Sequence, residues 1–228
     1  MESKSKTPRC VGIIMDGNRR WARQNCLPTL EGHRKGYAKL KEFLSWAKAR
    51  EVKAVIAYAF SAENWKRTEV EVGYLLNLFR FALRSEINEL RKDGTRLIFI
   101  GDKFSLPADI QKMMADAEET TKNNQGTILG IAVSYGGRQE ITAALDELLR
   151  MKIPASEESI SSRLWTKDLP DPDTIIRTGG QKRLSGFLPW QSMYSELFFT
   201  DTLWPDFSKS EFEVMLSEYA ERQRNFGK

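Results

Sequence analysis

Three short segments of this sequence combine arginines with glycines or hydroxyl groups, a composition that suits phosphate. Residues 16–21 read Asp-Gly-Asn-Arg-Arg-Trp, and residues 60–67 read Phe-Ser-Ala-Glu-Asn-Trp-Lys-Arg. Residues 177–185 read Arg-Thr-Gly-Gly-Gln-Lys-Arg-Leu-Ser. Guanidinium groups bind phosphate oxygens in bidentate fashion, and glycine lets a backbone approach an anion closely. Together the three segments predict a site for more than one phosphate group.

Asp16 brings a negative charge into the first of these basic segments. A carboxylate beside an anion site is explained if a cation bridges the two, and Mg²⁺ prefers one or two carboxylates together with phosphate oxygens of a substrate. Asp16 is therefore a candidate magnesium ligand. A simple helix-capping role for Asp16 stays open, as does a purely structural role for His33 between Gly32 and Arg34.

The elements that position these segments follow an alternating pattern. Apolar runs predict strands at 11–15, 52–60, 96–100, 127–133, 174–177 and 197–200. Amphipathic stretches predict helices at 35–50, 69–92, 107–122, 138–150, 158–165 and 210–223. This order predicts an α/β fold with a central, mostly parallel sheet flanked by helices. Ligands of such sheets bind at the carboxyl ends of the strands, where each of the three segments lies.

The predicted helix 69–92 is unusually apolar and has a clear start signal. Thr68 followed by Glu71 is typical of a capping box. Apolar residues cover more than one narrow stripe, whereas a surface helix needs only one apolar face. One interpretation is a helix wedged between the sheet and a neighbour; the other is a helix that lines an apolar tunnel between sheet and helices.

Composition limits the class of protein. The chain has 228 residues, a formal net charge of +4, two cysteines and one histidine. A disulfide framework and a structural zinc site both need more ligands than this. Residues 1–8 lack the apolar core of a secretory signal, so we expect a cytoplasmic protein with at most peripheral membrane contact. No repeat or linker interrupts the chain, which predicts a single domain over residues 1–228.

At these residues the chain resembles the cis-prenyltransferase family, the isoprenyl transferases related to undecaprenyl diphosphate synthase. The matching segments run in the family's order over nearly the whole chain: 12–22, 31–36, 58–65, 135–138, 176–180, 183–185, 190–197 and 204–207. The resemblance implies a Mg²⁺-dependent enzyme that condenses isopentenyl diphosphate with an allylic diphosphate. It also implies a homodimer whose interface lies close to the site, reached by residues 222–224.

The resemblance assigns roles to individual residues. Asp16 and Asn64 would be catalytic, with Asp16 holding the magnesium and Asn64 accepting a proton, and Glu196 would be a second metal carboxylate. The residues implied around the allylic diphosphate and the substrates are Gly17, Asn18, Arg19, Arg20, Trp21, His33, Trp65 and Arg67. Those of the catalytic loop are Ser61, Ala62 and Glu63, and those implied for isopentenyl diphosphate are Arg177, Arg183, Leu184 and Ser185.

The chain departs from the family pattern at four positions. Thr29 replaces a phosphate-binding arginine, Gln181 a glutamate, and Ser134 and Gly186 each an asparagine. These changes bear on substrate choice, including that of members making short or branched products.

A non-catalytic partner subunit of the same fold is the main alternative. Two further alternatives are an RNA-binding protein and a P-loop phosphotransferase. The chain lacks the signature motifs of both classes.

Overall fold

The computed structural model describes residues 7–223, which contain one six-stranded sheet. The strands are β1 (Cys10–Ile14), β2 (Ala54–Ser61), β3 (Arg96–Ile100), β4 (Ile128–Tyr135), β5 (Thr174–Arg177) and β6 (Glu196–Phe199). The helices are α1 (Asn18–Gln24), α2 (Thr29–Ala49), α3 (Glu69–Lys92), α4 (Ala108–Thr121), α5 (Gly137–Met151), α6 (Glu157–Ser161) and α7 (Lys209–Glu221). All neighbouring strands are parallel, in the order β3-β4-β2-β1-β5-β6. The predicted α/β fold with a central parallel sheet is confirmed.

The sheet is buried on both faces, which is why its central strands are almost continuously apolar. In β1 the side chains alternate between two cores, because successive residues of a strand point to opposite faces. Val11 and Ile13 pack in a large cluster with aromatic residues of α2 and α7, whereas Cys10 and Ile14 pack in a smaller cluster on the other face. The helices on both faces thus anchor the strands whose carboxyl ends carry the polar segments.

The predicted boundaries are correct to within about two residues for most elements, with clear exceptions in the helices. The helix expected after Asp16 had no predicted bounds and is the seven-residue α1, and α2 begins at Thr29 rather than at residue 35. The short helix near 158–165 ends at Ser161. Gly32 and Gly36 lie in the first turns of α2, where their low helix propensity hides the true start of the helix.

Gly32 and Gly36 allow α1 to pack directly against α2. A Cβ atom on Gly32 would lie 2.8 Å from the carbonyl carbon of Asn18 and 3.1 Å from the Cβ of Ala22. A Cβ on Gly36 would lie 2.8 Å from Cγ of Asn18. Ordinary contacts between carbon atoms are about 3.5–4.0 Å, so this pair of glycines fixes how closely the two helices approach.

The outer edge of β3 is closed by side chains of α4. The backbone N–H of Leu97 donates to Oγ1 of Thr121 at 3.1 Å, and that of Phe99 donates to Oε1 of Glu118 at 2.7 Å. An exposed edge strand normally offers such groups to another strand. Here the outward donors of Leu97 and Phe99 are already bound within the chain.

Candidate active site

The first functional cluster is built around Asp16, which follows β1 at the carboxyl edge of the sheet. One carboxylate oxygen of Asp16 lies 3.1 Å from Nη2 of Arg20, and the other accepts a hydrogen bond from Nη2 of Arg177 at 3.0 Å. Arg177 ends β5 and pairs in register with Ile14 of β1. The parallel sheet therefore brings together two segments that are 161 residues apart in the sequence.

Arg177 is the centre of this cluster. It is only 5% exposed, and its Nη1 donates to the carbonyl oxygen of Arg183 and, at 2.8 Å, to Oγ of Ser185. The guanidinium group is thus held on two sides by its own loop and on a third by Asp16. Arg183 itself is exposed and donates to the side chain of Gln181 at 2.6 Å.

The glycine pair after β5 has a different role from the one that the sequence suggested. The N–H groups of Gly179 and Gly180 donate to the carbonyl oxygens of Thr202 and Thr200, both at 2.8 Å, so they are not available to an anion. Both glycines have positive φ, +82° and +74°. At Gly179 a Cβ would meet Nη2 of Arg20 and the backbone of Asp16, so this glycine makes room for the first cluster.

The second functional cluster is centred on Glu71, which sequence reasoning assigned only to helix capping. Its backbone N–H does donate to Oγ1 of Thr68, at 3.4 Å. Its carboxylate, however, turns inward: Oε1 lies 2.9 Å from Nη1 of Arg67, 3.2 Å from Nε2 of His33 and 3.8 Å from Nε of Arg19. The predicted capping box is therefore only half formed, and Glu71 joins three predicted phosphate-binding residues.

His33 is buried within this second cluster. Burial, together with the nearby charges of Arg67 and Arg19, lowers the pKa of His33 below its ordinary value, although the hydrogen bond to Glu71 acts in the opposite direction. A carboxylate only accepts hydrogen bonds. The neutral imidazole therefore donates its Nε2–H to Glu71.

The loop after β2 forms a short 3₁₀ turn, Ala62–Lys66, that fixes Asn64. The backbone N–H of Ser61 donates to Oδ1 of Asn64 at 3.1 Å, while Glu63 is exposed. A carboxamide oxygen carries two lone pairs, so this hydrogen bond leaves capacity for a second one. The role of Asn64 as a proton acceptor stays a prediction.

Trp65 is oriented by Ser134, one of the positions where the chain departs from the family pattern. The indole Nε1–H donates to Oγ of Ser134 at 2.9 Å, and the ring packs edge-on against Phe60. Ser134 has a left-handed backbone with φ of 49° and also bonds Ser105 at 2.7 Å. A serine thus links the loop after β3 to the loop that carries Asn64.

Several predicted substrate residues have structural contacts of their own. The Asn18 side chain lies against Gly36 and donates to the carbonyl oxygen of Met15, and the indole of Trp21 donates to Asp206 at 2.7 Å. Leu184 packs against the smaller core, and Gly17 has φ of 115° with Leu203 beside it. No side chain caps the amino end of α1, so substrate contacts of Gly17 and Asn18 would come from their backbone.

Glu196 does not lie beside Asp16 within one chain. It is the first residue of β6 and pairs with Thr174, which pairs with Val11 at the start of β1. Asp16 lies beyond the other end of β1, roughly 16 Å away along the strand direction at about 3.3 Å per residue. Glu196 instead binds Nη1 of Arg222 at 2.6 Å. Its metal role and the reach of residues 222–223 across a dimer stay predictions, and Arg224 lies outside the described residues.

The carboxylate of Asp16 in the first cluster suits a metal ion whose other ligands come from the substrate. Within residues 7–223 no group of three or more His, Cys, Asp or Glu side chains could hold an ion without other ligands. Asp16 is 30% exposed at its side chain, with Arg20 and Arg177 on its two oxygens. One carboxylate beside two guanidinium groups fits Mg²⁺ that takes its other ligands from phosphate and water.

An apolar cavity of about 390 Å³ lies between α2, α3 and the sheet. Its lining includes Leu40 and Leu44 of α2, Leu78, Phe79, Ala82 and Leu83 of α3, and Leu129 and Ile131 of β4. The ion pair between Lys41 and Glu86, at 2.8 Å, joins the two helices beside it. The apolar residues of α3 therefore serve both to pack the helix and to line this space. In the described range, 7–223, no helix has the length and apolar content needed to cross a membrane.

The cavity begins directly below the second cluster. His33 precedes Tyr37 by one turn of α2, and Glu71 precedes Leu78 by two turns of α3. At about 5.4 Å per turn, His33 and Glu71 lie roughly 5–10 Å along their helices from the first residues of the cavity. An anionic head group and an apolar tail could thus be bound in sequence.

Comparison with known proteins decides the family. The profile of the family described as "Putative undecaprenyl diphosphate synthase" matches residues 14–227. The chain belongs to this family. The cis-prenyltransferase identification made from the sequence motifs is therefore confirmed, and the chain is an enzyme of the isoprenyl transferase type.

Individual relatives within the family cover the whole chain. A ditrans,polycis-undecaprenyl-diphosphate synthase, (2E,6E)-farnesyl-diphosphate specific, of Legionella pneumophila is 42% identical over 97% of this chain and 96% of its own length. An isoprenyl transferase of Thermotoga maritima is 42% identical over 97% of both chains. The crystal structure of lavandulyl diphosphate synthase from Lavandula x intermedia, in complex with dimethylallyl diphosphate, has a TM-score of 0.92 at 33% identity. It covers 97% of this chain and 99% of its own.

Proposed function

We propose that this cis-prenyltransferase condenses isopentenyl diphosphate with an allylic prenyl diphosphate to form a cis-polyprenyl diphosphate, with Mg²⁺ as its cofactor. The observation that carries the proposal is the pairing of Asp16 with Arg20 and Arg177 beside the Glu71 cluster and above an apolar cavity. Two adjacent cationic groups suit two diphosphates, and the cavity suits an isoprenoid chain. The dimethylallyl diphosphate bound to the lavender relative is an allylic diphosphate of this kind.

The residues of the chain divide the work between the two substrates. Arg19, Arg20 and Arg67 hold the allylic diphosphate and stabilise the charge that grows on it as its C–O bond breaks. When bound at Asp16, magnesium supplies further neutralisation of that leaving group. These positive charges interact more strongly with the diphosphate as its negative charge grows, and that difference lowers the barrier.

The second substrate is held so that its double bond faces the allylic carbon. Arg177, Arg183 and Ser185 bind the isopentenyl diphosphate, and the rigid packing of Arg177 fixes its orientation. A new C–C bond forms, the isopentenyl unit loses a proton near Asn64, and diphosphate leaves. The lengthening chain enters the cavity between α2 and α3.

A homodimer completes the proposal. Glu196 lies at the amino end of its strand with Arg222 bound to it, whereas Asp16 follows the carboxyl end of β1. A second copy would therefore have to bring Glu196 and Arg222 to the site. The exposed side chains of Met193, Tyr194 and Leu197 around Glu196 supply apolar surface for such an interface. We also propose a cytoplasmic location, with peripheral membrane contact when product is released.

The test is a condensation assay with labelled isopentenyl diphosphate and dimethylallyl, geranyl or farnesyl diphosphate, with Mg²⁺ or with EDTA. We expect an apolar product that depends on the metal and whose length chromatography reads directly. Asp16→Asn should lower product formation about 100-fold or more, and Asp116→Asn on the exposed face of α4 is the matched control. Folded wild-type protein that makes no product with any primer would favour the non-catalytic subunit.

A further inference from the structure

Glu71 makes an arrangement that neither helix capping nor core packing explains. It is 8% exposed, and one carboxylate oxygen faces Arg67, His33 and Arg19. These three residues come from three different elements: the turn after β2, the second turn of α2 and the first turn of α1. A buried carboxylate is unfavourable unless it is paired and hydrogen-bonded, and here two of its three partners, Arg67 and Arg19, are proposed ligands of the allylic diphosphate.

We propose that Glu71 is a positioning residue that holds Arg67, His33 and Arg19 in place for the allylic diphosphate. The proposal rests on the function proposed above. Without this carboxylate three cationic or dipolar groups would converge with no counter-charge, and the long side chains of Arg67 and Arg19 would be free to move apart. Glu71 does not touch the reacting atoms; it acts through the groups that do.

Neutralising Glu71 distinguishes a positioning role from a simple reduction of positive charge. If Glu71 only reduced the positive charge of the site, its neutralisation would strengthen binding of an anion, since the cations would act without opposition. If it positions the cations, neutralisation loosens them and weakens binding. Glu71→Gln therefore has opposite consequences under the two accounts, with nearly unchanged side-chain volume.

The experiment compares Glu71→Gln with Glu69→Gln, which removes an exposed carboxylate from the same first turn of α3. We expect Glu71→Gln to raise the KM for the allylic substrate about tenfold or more, in line with the loss of one charged hydrogen bond. The KM for isopentenyl diphosphate should stay within about twofold, because Arg177 lies in the other cluster. Glu71→Asp keeps the charge on a shorter side chain and should recover part of the loss.

A second measurement needs no turnover. His33 is the only histidine of the chain, so its imidazole gives a single assignable signal in nitrogen-edited NMR. Inorganic diphosphate should shift this signal in wild type and in Glu69→Gln, and should do so only at about tenfold higher concentration in Glu71→Gln. This titration also shows whether the variant is folded.

The outcomes distinguish this inference from the proposed function. Wild type that binds inorganic diphosphate with the expected dependence on Glu71, yet makes no product, supports the inference and overturns the function. Wild type that makes product while Glu71→Gln keeps its allylic KM, or binds diphosphate more tightly, overturns the inference alone. If Glu71→Gln does not fold, the same measurements on Glu71→Asp decide, and an unchanged allylic KM overturns the inference.

Discussion

Replacing Gly32 by alanine should separate α1 from α2 and disable the site without unfolding the protein. The added methyl group would lie 2.8 Å from the carbonyl carbon of Asn18 and closer still to its oxygen. Since ordinary carbon contacts are about 3.5–4.0 Å, the helices must move apart by roughly 1 Å. Asn18 begins α1, which carries Arg19 and Arg20, so both clusters lose the position of one arginine.

Two opposing terms set the expected stability. Alanine in place of glycine within a helix gains about 0.8–1.0 kcal/mol, whereas overpacking loses about 1–3 kcal/mol. Gly73→Ala in α3 is the matched control, because nothing lies within 4 Å of a Cβ at that position. It should show the gain alone, so Gly32→Ala should be less stable than Gly73→Ala by about 1–3 kcal/mol.

The assay combines urea unfolding with steady-state kinetics on both variants. A displacement near 1 Å at the substrate ligands lowers activity by roughly 100-fold, and we expect this loss in Gly32→Ala but wild-type kinetics in Gly73→Ala. Equal stability and equal activity of the two variants would refute the view that close packing of α1 on Gly32 positions the arginines.

Three further expectations follow from the site. Asp16→Asn should lower kcat about 100-fold or more yet destabilise the fold by less than about 2 kcal/mol, because Arg177 keeps its bonds to Arg183 and Ser185; near-normal turnover would contradict the metal role. Burial lowers the pKa of His33 in the folded protein below its ordinary value of 6.5. As the pH falls through 6.5, the unfolded chain therefore binds a proton at His33 that the folded chain does not bind. Wild type should then lose more unfolding free energy than His33→Gln between about pH 7.5 and about pH 5.5, and equal losses in urea titrations would contradict this. Ala82→Leu should fill part of the cavity and shorten the product on chromatography, whereas Arg84→Leu on the exposed face of α3 should not; unchanged lengths would show that the chain grows elsewhere.

The sequence was sufficient for those parts of the fold that depend on local pattern. Buried parallel strands are continuous apolar runs, so β3 and β5 were predicted at their observed limits. The polar segments after β1 and β5 could be expected to meet, because parallel strands end at one edge of the sheet. The contact between Asp16 and Arg177 follows from that rule.

Features that depend on tertiary contacts could not be predicted in the same way. Helix α1 has only seven residues, too few to show a helical period. Glu71 carries a local signal for capping, and only the fold reveals that its carboxylate faces α1 and α2 instead. The distance between Asp16 and Glu196 depends on the register of β6, which no local pattern encodes.

The closed edge of β3 has a consequence for how copies of this chain assemble. Thr121 and Glu118 already bind the outward donors of Leu97 and Phe99, so the β6 edge is the favoured side if two copies associate through their sheets. Two copies joined at their β6 edges would form a pair related by twofold symmetry, with the closed β3 edges on the outside. Head-to-tail filaments would need both edges. Closure of the β3 edge therefore disfavours strand-by-strand filaments of this chain, while the β6 edge carries Glu196.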